Sequence, residues 1–178
     1  IANLHSTPLI SNNRVCRNEV GIYIAWIEST GTRVINNTVA DNENDGIWCY
    51  SEADAIVKNN IVVENSVGIA TLSNAKPELS YNNVWNNSFR DYDSQGGGVA
   101  SPGVGSISTD PLFDGSAPDR FLLTEGSPCI DAGDPRSVFD DPDGSRNDMG
   151  YTGGPRGTEG VLDSPVASGF VFTSVGNI

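Results

Sequence analysis

The chain has 178 residues, 37% of them hydrophobic, with 20 Gly, 10 Pro and a formal net charge of −13. This length fits one domain with a small appendage, and the hydrophobic share is too low for a thick, helix-covered core but sufficient for a thin stacked interior. An acidic surface repels phosphate backbones, which argues against nucleic acid as a partner and disfavours polyanions unless a cation intervenes; no apolar run reaches the length of a membrane-spanning helix.

The chain opens Ile1-Ala-Asn-Leu, close to a repeat unit, with neither a signal-peptide pattern nor an initial Met. It reads as a mature or truncated piece of a longer protein. Its first unit then presents an unpaired edge. Either a partner chain covers that edge, making a homo-oligomer, or residues 1–7 fold over it.

Four Asn pairs follow: Asn12-Asn13, Asn36-Asn37, Asn59-Asn60 and Asn82-Asn83, separated by 24, 23 and 23 residues. A fixed period in this range marks a stacked repeat. Three units carry a further Asn at one offset (Asn18, Asn42, Asn65) and then a Gly-Ile step (Gly21-Ile22, Gly46-Ile47, Gly68-Ile69). The fourth keeps Asn87, one place early, and lacks Gly-Ile. Within each unit the apolar period is two, which predicts strands. Stacking then makes columns: Ile22, Ile47 and Ile69; Ile24, Cys49 and Thr71; Val15, Val39, Val62 and Trp85.

The order Asn pair, Val, Asn, Gly-Ile over residues 8 to about 90 resembles the right-handed parallel β-helix, the pectin-lyase-like fold. The fold expected is all-β: a right-handed single-stranded parallel β-helix of about four coils of ~23 residues, plus an irregular C-terminal cap. At ordinary strand spacing four coils make a prism about 19 Å long. Asn tolerates left-handed corners, and stacked Asn amides bond along a column. Which Asn of each pair turns inward is left open by the sequence. Gly supplies a positive φ or a close approach at another corner.

The organisation expected is coils over 1–90, a loop and cap with an acidic loop over 91–151, and a tail over 152–178. Asp91-Tyr-Asp-Ser-Gln-Gly-Gly-Gly reads as loop. The segment from Asp110-Pro-Leu-Phe to Gly126-Ser-Pro-Cys-Ile-Asp-Ala-Gly-Asp134 resembles the closing segment of many surface and secreted β-helix proteins. That resemblance implies that Leu112, Phe113, Phe121, Leu123 and Ile130 cover the open core of the last coil. Asp141-Pro-Asp143-Gly144 looks like part of a calcium loop, with Asp141, Asp143 and Asp148 as oxygen donors and Asp134 or Asp140 as additional ones; a plain β-turn is the competing reading. Any Ca²⁺ there would be structural. The tail residues Phe170-Val-Phe-Thr-Ser-Val read as an added strand.

Cys16, Cys49 and Cys129 give neither an even disulfide framework nor a metal spacing, and Cys49 falls in an inward column. Low Lys content, abundant Asn and Thr, and the acidic balance point to an extracellular or cell-surface protein. The motifs of polygalacturonase-type hydrolases are absent. Arg17, Asp41 and Glu64 share one repeat position, so they stack either as a proton-transfer column or as a surface charge ladder. Tyr23 and Trp48 take the outward middle position of adjacent coils, with Tyr50 on the same face and Trp26 at the adjoining corner; such rings suit sugar stacking. The leading expectation is a scaffold or polysaccharide-contacting module. The alternatives are a fragment of a polysaccharide lyase or glycoside hydrolase, and a structural self-associating protein.

Overall fold

The computed structural model describes residues 1–115 and 120–157. The strand expected at 170–175 lies outside them. β1 (Ala2–Leu4) precedes four coils of three short strands each: β2 (Leu9–Ser11), β3 (Arg14–Cys16) and β4 (Ile22–Ala25); β5 (Arg33–Ile35), β6 (Thr38–Ala40) and β7 (Asp45–Tyr50); β8 (Ile56–Lys58), β9 (Ile61–Val63) and β10 (Val67–Leu72); β11 (Glu78–Ser80), β12 (Asn83–Trp85) and β13 (Arg90–Ser94). Equivalent strands pair in parallel, giving one sheet of five strands (β1-β4-β7-β10-β13) and two of four (β2-β5-β8-β11 and β3-β6-β9-β12).

The three sheets enclose a narrow apolar prism. Ile22, Ile47 and Ile69 are neighbours in register, as are Ile24, Cys49 and Thr71. Val34 and Val57, with Ile10 before and Leu79 after, fill the second wall. The third wall is Val15, Val39, Val62 and Val84. Trp85 therefore does not close that column. It sits opposite Val63 and points away from the prism. The repeat shortens from 23 to 22 residues between Asn65 and β10, so Tyr81-Asn82, not Asn82-Asn83, is the equivalent of Asn59-Asn60. In this register Asn87 is not early: it follows Asn82 by the same step as Asn65 follows Asn60.

Two Asn ladders run inside the prism. The first Asn of each pair, and Tyr81 in the fourth coil, takes a left-handed backbone (φ 52–57°) that turns the corner. The second turns inward. The Nδ2 groups of Asn13, Asn37 and Asn60 each donate to the Oδ1 of the Asn one coil later, at 3.0 Å in all three steps. The same Oδ1 also accepts the backbone N–H of the preceding Asn. Nδ2 further donates to carbonyls of its own and the preceding coil, such as Lys58 and Val34 for Asn60. Asn18, Asn42, Asn65 and Asn87 repeat the arrangement at the next corner. Every rung points from N- to C-terminus. The first ladder ends on Ser106 Oγ, and the second on Asp91 Oδ1, which accepts both N–H groups of Asn87.

The Gly-Ile glycines make room for this. A Cβ on Gly46 would lie 2.7 Å from Val62 Cγ1 and 2.8 Å from both Asn65 Nδ2 and the Gly68 carbonyl. Close approach, not positive φ, is therefore what these positions require.

The ends differ. Residues 2–4 cover the β4 edge of the first coil as an added strand, with Ile1 packed against the core, and the chain-terminal ammonium donates to the Gly21 carbonyl. At the other end, residues 91–94 belong to β13 and not to a loop. Tyr92 faces inward opposite Ile69, and the strand hid in the sequence because its other residues are polar. Residues 103–107 then lay a partial fifth coil on the fourth: Tyr81 N–H donates to the Val104 carbonyl and Ile107 N–H to that of Asn82.

The cap does not plug the end of the prism. It runs along the outside of the third sheet. The outward residues there are themselves apolar (Cys16, Ala40, Ile61, Val63), and Phe121, Cys129 and Met149 bury them, with Phe113, Leu123, Trp85 and Tyr151 around the margin. Leu112 is exposed, with φ 52°, and Ile130 is only half-buried. All three cysteines are buried and unbridged. The corner Asn residues anchor this cover. Asn12 Nδ2 donates to the Tyr151 and Gly153 carbonyls, Asn36 Nδ2 to those of Asp148 and Gly150, and Asn59 Oδ1 accepts the Asp134 N–H. Beside Asn59, the buried Lys58 ammonium lies 2.7 Å from Asp134, whose carboxylate also accepts from the Arg136 guanidinium. These donors hold the Asp134 carboxyl well below the usual carboxylate range despite its burial.

Removing one amide from a ladder leaves several buried partners unmet, at about 1–3 kcal/mol each. Asn60→Ala is therefore expected to lower unfolding stability by more than ~3 kcal/mol, seen as a shifted urea midpoint. Asp134→Asn leaves Lys58 buried without a countercharge and is expected to cost about 3–5 kcal/mol. Replacing both members, Lys58→Met with Asp134→Leu, should recover most of that loss in the same assay.

Candidate functional site

The outer face of the five-stranded sheet concentrates the aromatic side chains. Alternation sends Ile22, Ile24, Ile47 and Cys49 inward, so Tyr23, Trp48 and Tyr50 point out. Tyr23 and Trp48 are register neighbours with ring centroids 4.8 Å apart, and Trp48 lies 5.8 Å from Tyr50. Trp26 meets Tyr50 edge-on at 5.9 Å, and His5 stacks on Trp26 at 5.7 Å. Five rings thus form one continuous surface.

Trp26 has φ 77°, rare for a bulky side chain, and the residue is 41% exposed. The short 3-10 turn Ile27–Ser29 follows directly and fixes this orientation: Ser29 N–H donates to the Trp26 carbonyl, and Ser29 Oγ to that of Ala25. His5 is held by Glu28, whose Oε2 lies 3.1 Å from Nδ1. Burial and the neighbouring Tyr50 raise the Tyr23 pKa, so this phenol stays a neutral donor.

Beyond Trp48 the face drops into a groove. Ala70 is the register neighbour of Trp48, and its small side chain leaves the step. Asp45, Trp48, Thr71, Leu72, Asp93 and Gln95 complete the lining of a recess of about 160 Å³. Asp93 accepts from Arg90 Nη1 at 2.8 Å and from Gln95 Nε2 at 2.5 Å. Asp45 is half-buried and makes no side-chain hydrogen bond or ion pair among the described residues. Burial and Asp93 raise its pKa. The sequence pointed to the rings but not to these acids, because Asp93 sits on a strand that read as loop and Asp45 opens β7 just ahead of the Gly-Ile step that marked the strand.

The column Arg17, Asp41 and Glu64 lies elsewhere. All three occupy left-handed corner positions (φ 60°, 59° and 57°) just before the second Asn ladder. Arg17 Nε is 3.6 Å from Asp41, which also receives Arg120 from the cap at 3.0 Å. With Arg17 72% and Asp41 47% exposed, this is a solvated ladder of small energetic weight.

Asp141, Asp143 and Asp148 lie near enough to act on one another electrostatically, and each accepts hydrogen bonds from within the cap, Asp141 through both oxygens and the other two through Oδ1. Asp141 accepts from the N–H groups of Asp148 and Gly154, Asp143 from the N–H and Oγ of Ser145, and Asp148 from the Asp131 N–H. Among the described residues no group of three or more carboxylate, His or Cys side chains is arranged to hold a metal ion. Asp140 is half-buried beside this turn, and Asp134 is committed to Lys58 and Arg136. Burial pushes the Asp148 carboxyl up to about 6, with Asp141 and Asp131 adding to the rise.

Residues 2–108 match the family model described as the right-handed β-helix region. The chain belongs to the right-handed β-helix family. The match covers the coils and the partial fifth coil, and ends where the flanking cap begins. No similar curated protein and no similar solved structure was found. Among the described residues, no helix of this β-helix is long and apolar enough to cross a membrane.

The two cap carboxylates act on stability in opposite directions. Asp148 has a folded pKa above its unfolded value, so its contribution is fully present below about pH 4 and is lost as pH rises through about 6. Asp134 has a depressed folded pKa, so its contribution is present above about pH 4 and is lost as pH falls below that. Urea midpoints are therefore expected to rise from pH 7 toward pH 4.5 and to fall at lower pH. Asp148→Asn should flatten the upper limb and leave the acid limb in place.

Proposed function

We propose that this β-helix is an extracellular or cell-surface module that contacts polysaccharide through the outer face of its five-stranded sheet. The observation that carries the reading is the continuous ring surface of Tyr23, Trp48, Tyr50, Trp26 and His5, bordered by a groove with a half-buried, unpartnered Asp45. Sugar rings present apolar C–H faces and polar edges. Flat aromatic side chains with polar tips match the faces, and Asp45, Asp93 and Gln95 match the edge hydroxyls. Carboxylates in the groove favour neutral or amino sugars over uronates. Tyr23, Trp48 and Tyr50 are built on strands whose inward residues are fully buried, so their positions are set before ligand arrives.

A glycoside hydrolase is the second reading, and one observation favours it. Asp45 and Asp93 line the same groove, and Asp45 has the raised pKa that a general acid needs. An alternative role for the same rings is self-association.

A glycan array followed by calorimetry separates these readings. Binding of a neutral or amino-sugar polymer, weakened about tenfold by Trp48→Ala with the thermal midpoint unchanged, is the expected result. Product release from that polymer, abolished by Asp45→Asn, would move the assignment to the hydrolase. Concentration-dependent dimerisation lost in Trp48→Ala, without glycan binding, would move it to self-association.

A further inference from the structure

The chain has ten Lys and Arg residues. Arg17, Lys58, Arg90, Arg120 and Arg136 each pair with a carboxylate, and Arg146 instead donates to the backbone carbonyls of Ala132 and Gly133. Arg33 and Arg156 make no ion pair, side-chain hydrogen bond or ring contact among the described residues, and both line the same cleft.

This cleft lies on the second sheet, away from the aromatic face. It encloses about 140 Å³ between the outer side of β2 and β5 and the cap. Leu9 and Ile35 form the wall on the coils, and Val138 and Phe139 form the wall on the cap. Arg33 projects from β5 as the register neighbour of Leu9 and Ile56, so it sits in apolar company. The corner amides Asn12 and Asn36 close the remaining side, but their Nδ2 groups are already donated to the cap.

Two guanidinium groups at one small cleft repel each other unless an anion lies between them. Their planar forks match a carboxylate, and the hydrocarbon walls match an apolar body attached to it. We propose that this cleft binds a small organic carboxylate with an apolar body, the carboxylate held by Arg33 and Arg156 and the body between Ile35 and Phe139. The site is independent of the glycan reading, since no residue is common to the two.

Two-dimensional NMR of the full chain, titrated with benzoate and separately with inorganic phosphate, tests the site. Benzoate should give saturable shifts at Leu9, Ile35 and Val138. Its affinity should fall about tenfold in Arg33→Gln and in Arg156→Gln, and also as salt is raised. Both side chains are exposed, so the fold should survive. Arg33→Lys, which keeps the charge but lacks the fork, serves as a second variant and should bind more weakly than the parent. Absence of saturable shifts, unchanged affinity in the double Arg→Gln variant, or phosphate binding as tightly as benzoate would each overturn the proposal.

Discussion

Every other part of this molecule depends on buried amides meeting one another across successive coils. A strand of three residues offers few ladder bonds, and the walls of Val and Ile supply burial but little directionality. The inward Asn side chains supply the direction. Each Oδ1 takes two donors from the coil before, and each Nδ2 bridges two coils. A buried amide without partners is costly, so a slip of one residue would strand a whole column of them. Register is therefore fixed by polarity at the corners together with the apolar walls, where the same slip would turn every inward side chain outward.

Much of this was legible in the sequence. The period, the parallel stacking and the Ile and Val columns follow from spacing and alternation alone, and the structure has them in register. The fourth coil was misaligned because Asn82-Asn83 looks like the earlier pairs, although Tyr81 turns the corner there. Asn spelling alone does not distinguish an amide that turns the chain from one that enters the ladder. The side-by-side placement of the cap was also signalled and overlooked. Ile61-Val62-Val63 is apolar without alternation, the mark of a strand buried on both faces, and Met149, Phe121 and Cys129 lie against its outer side.

The aromatic half of the candidate site could be read for the same reason as the core: alternation on β4 and β7 puts the rings where the isoleucines are not. The acidic half could not. Asp45 and Asp93 are far apart in the chain and reach one groove only because β7, β10 and β13 are adjacent. The acidic turn at 140–148 shows the reverse case. Its spacing resembled a cation loop, and in the structure its carboxylates accept N–H groups from within the cap itself. Carboxylate spacing in a sequence does not record whether the oxygens are already engaged.

The cap's course along the flank has a mechanical consequence. A bare solenoid behaves as a row of weakly coupled rungs, so a terminal rung can peel away while the rest stay wound. Here one segment touches the corners of the first, second and third coils at Asn12, Asn36 and Asn59 and packs against Trp85 of the fourth. Lifting any single rung must then detach a strap shared with its neighbours. That coupling turns a stack suited to gradual unzipping into a body that yields all at once.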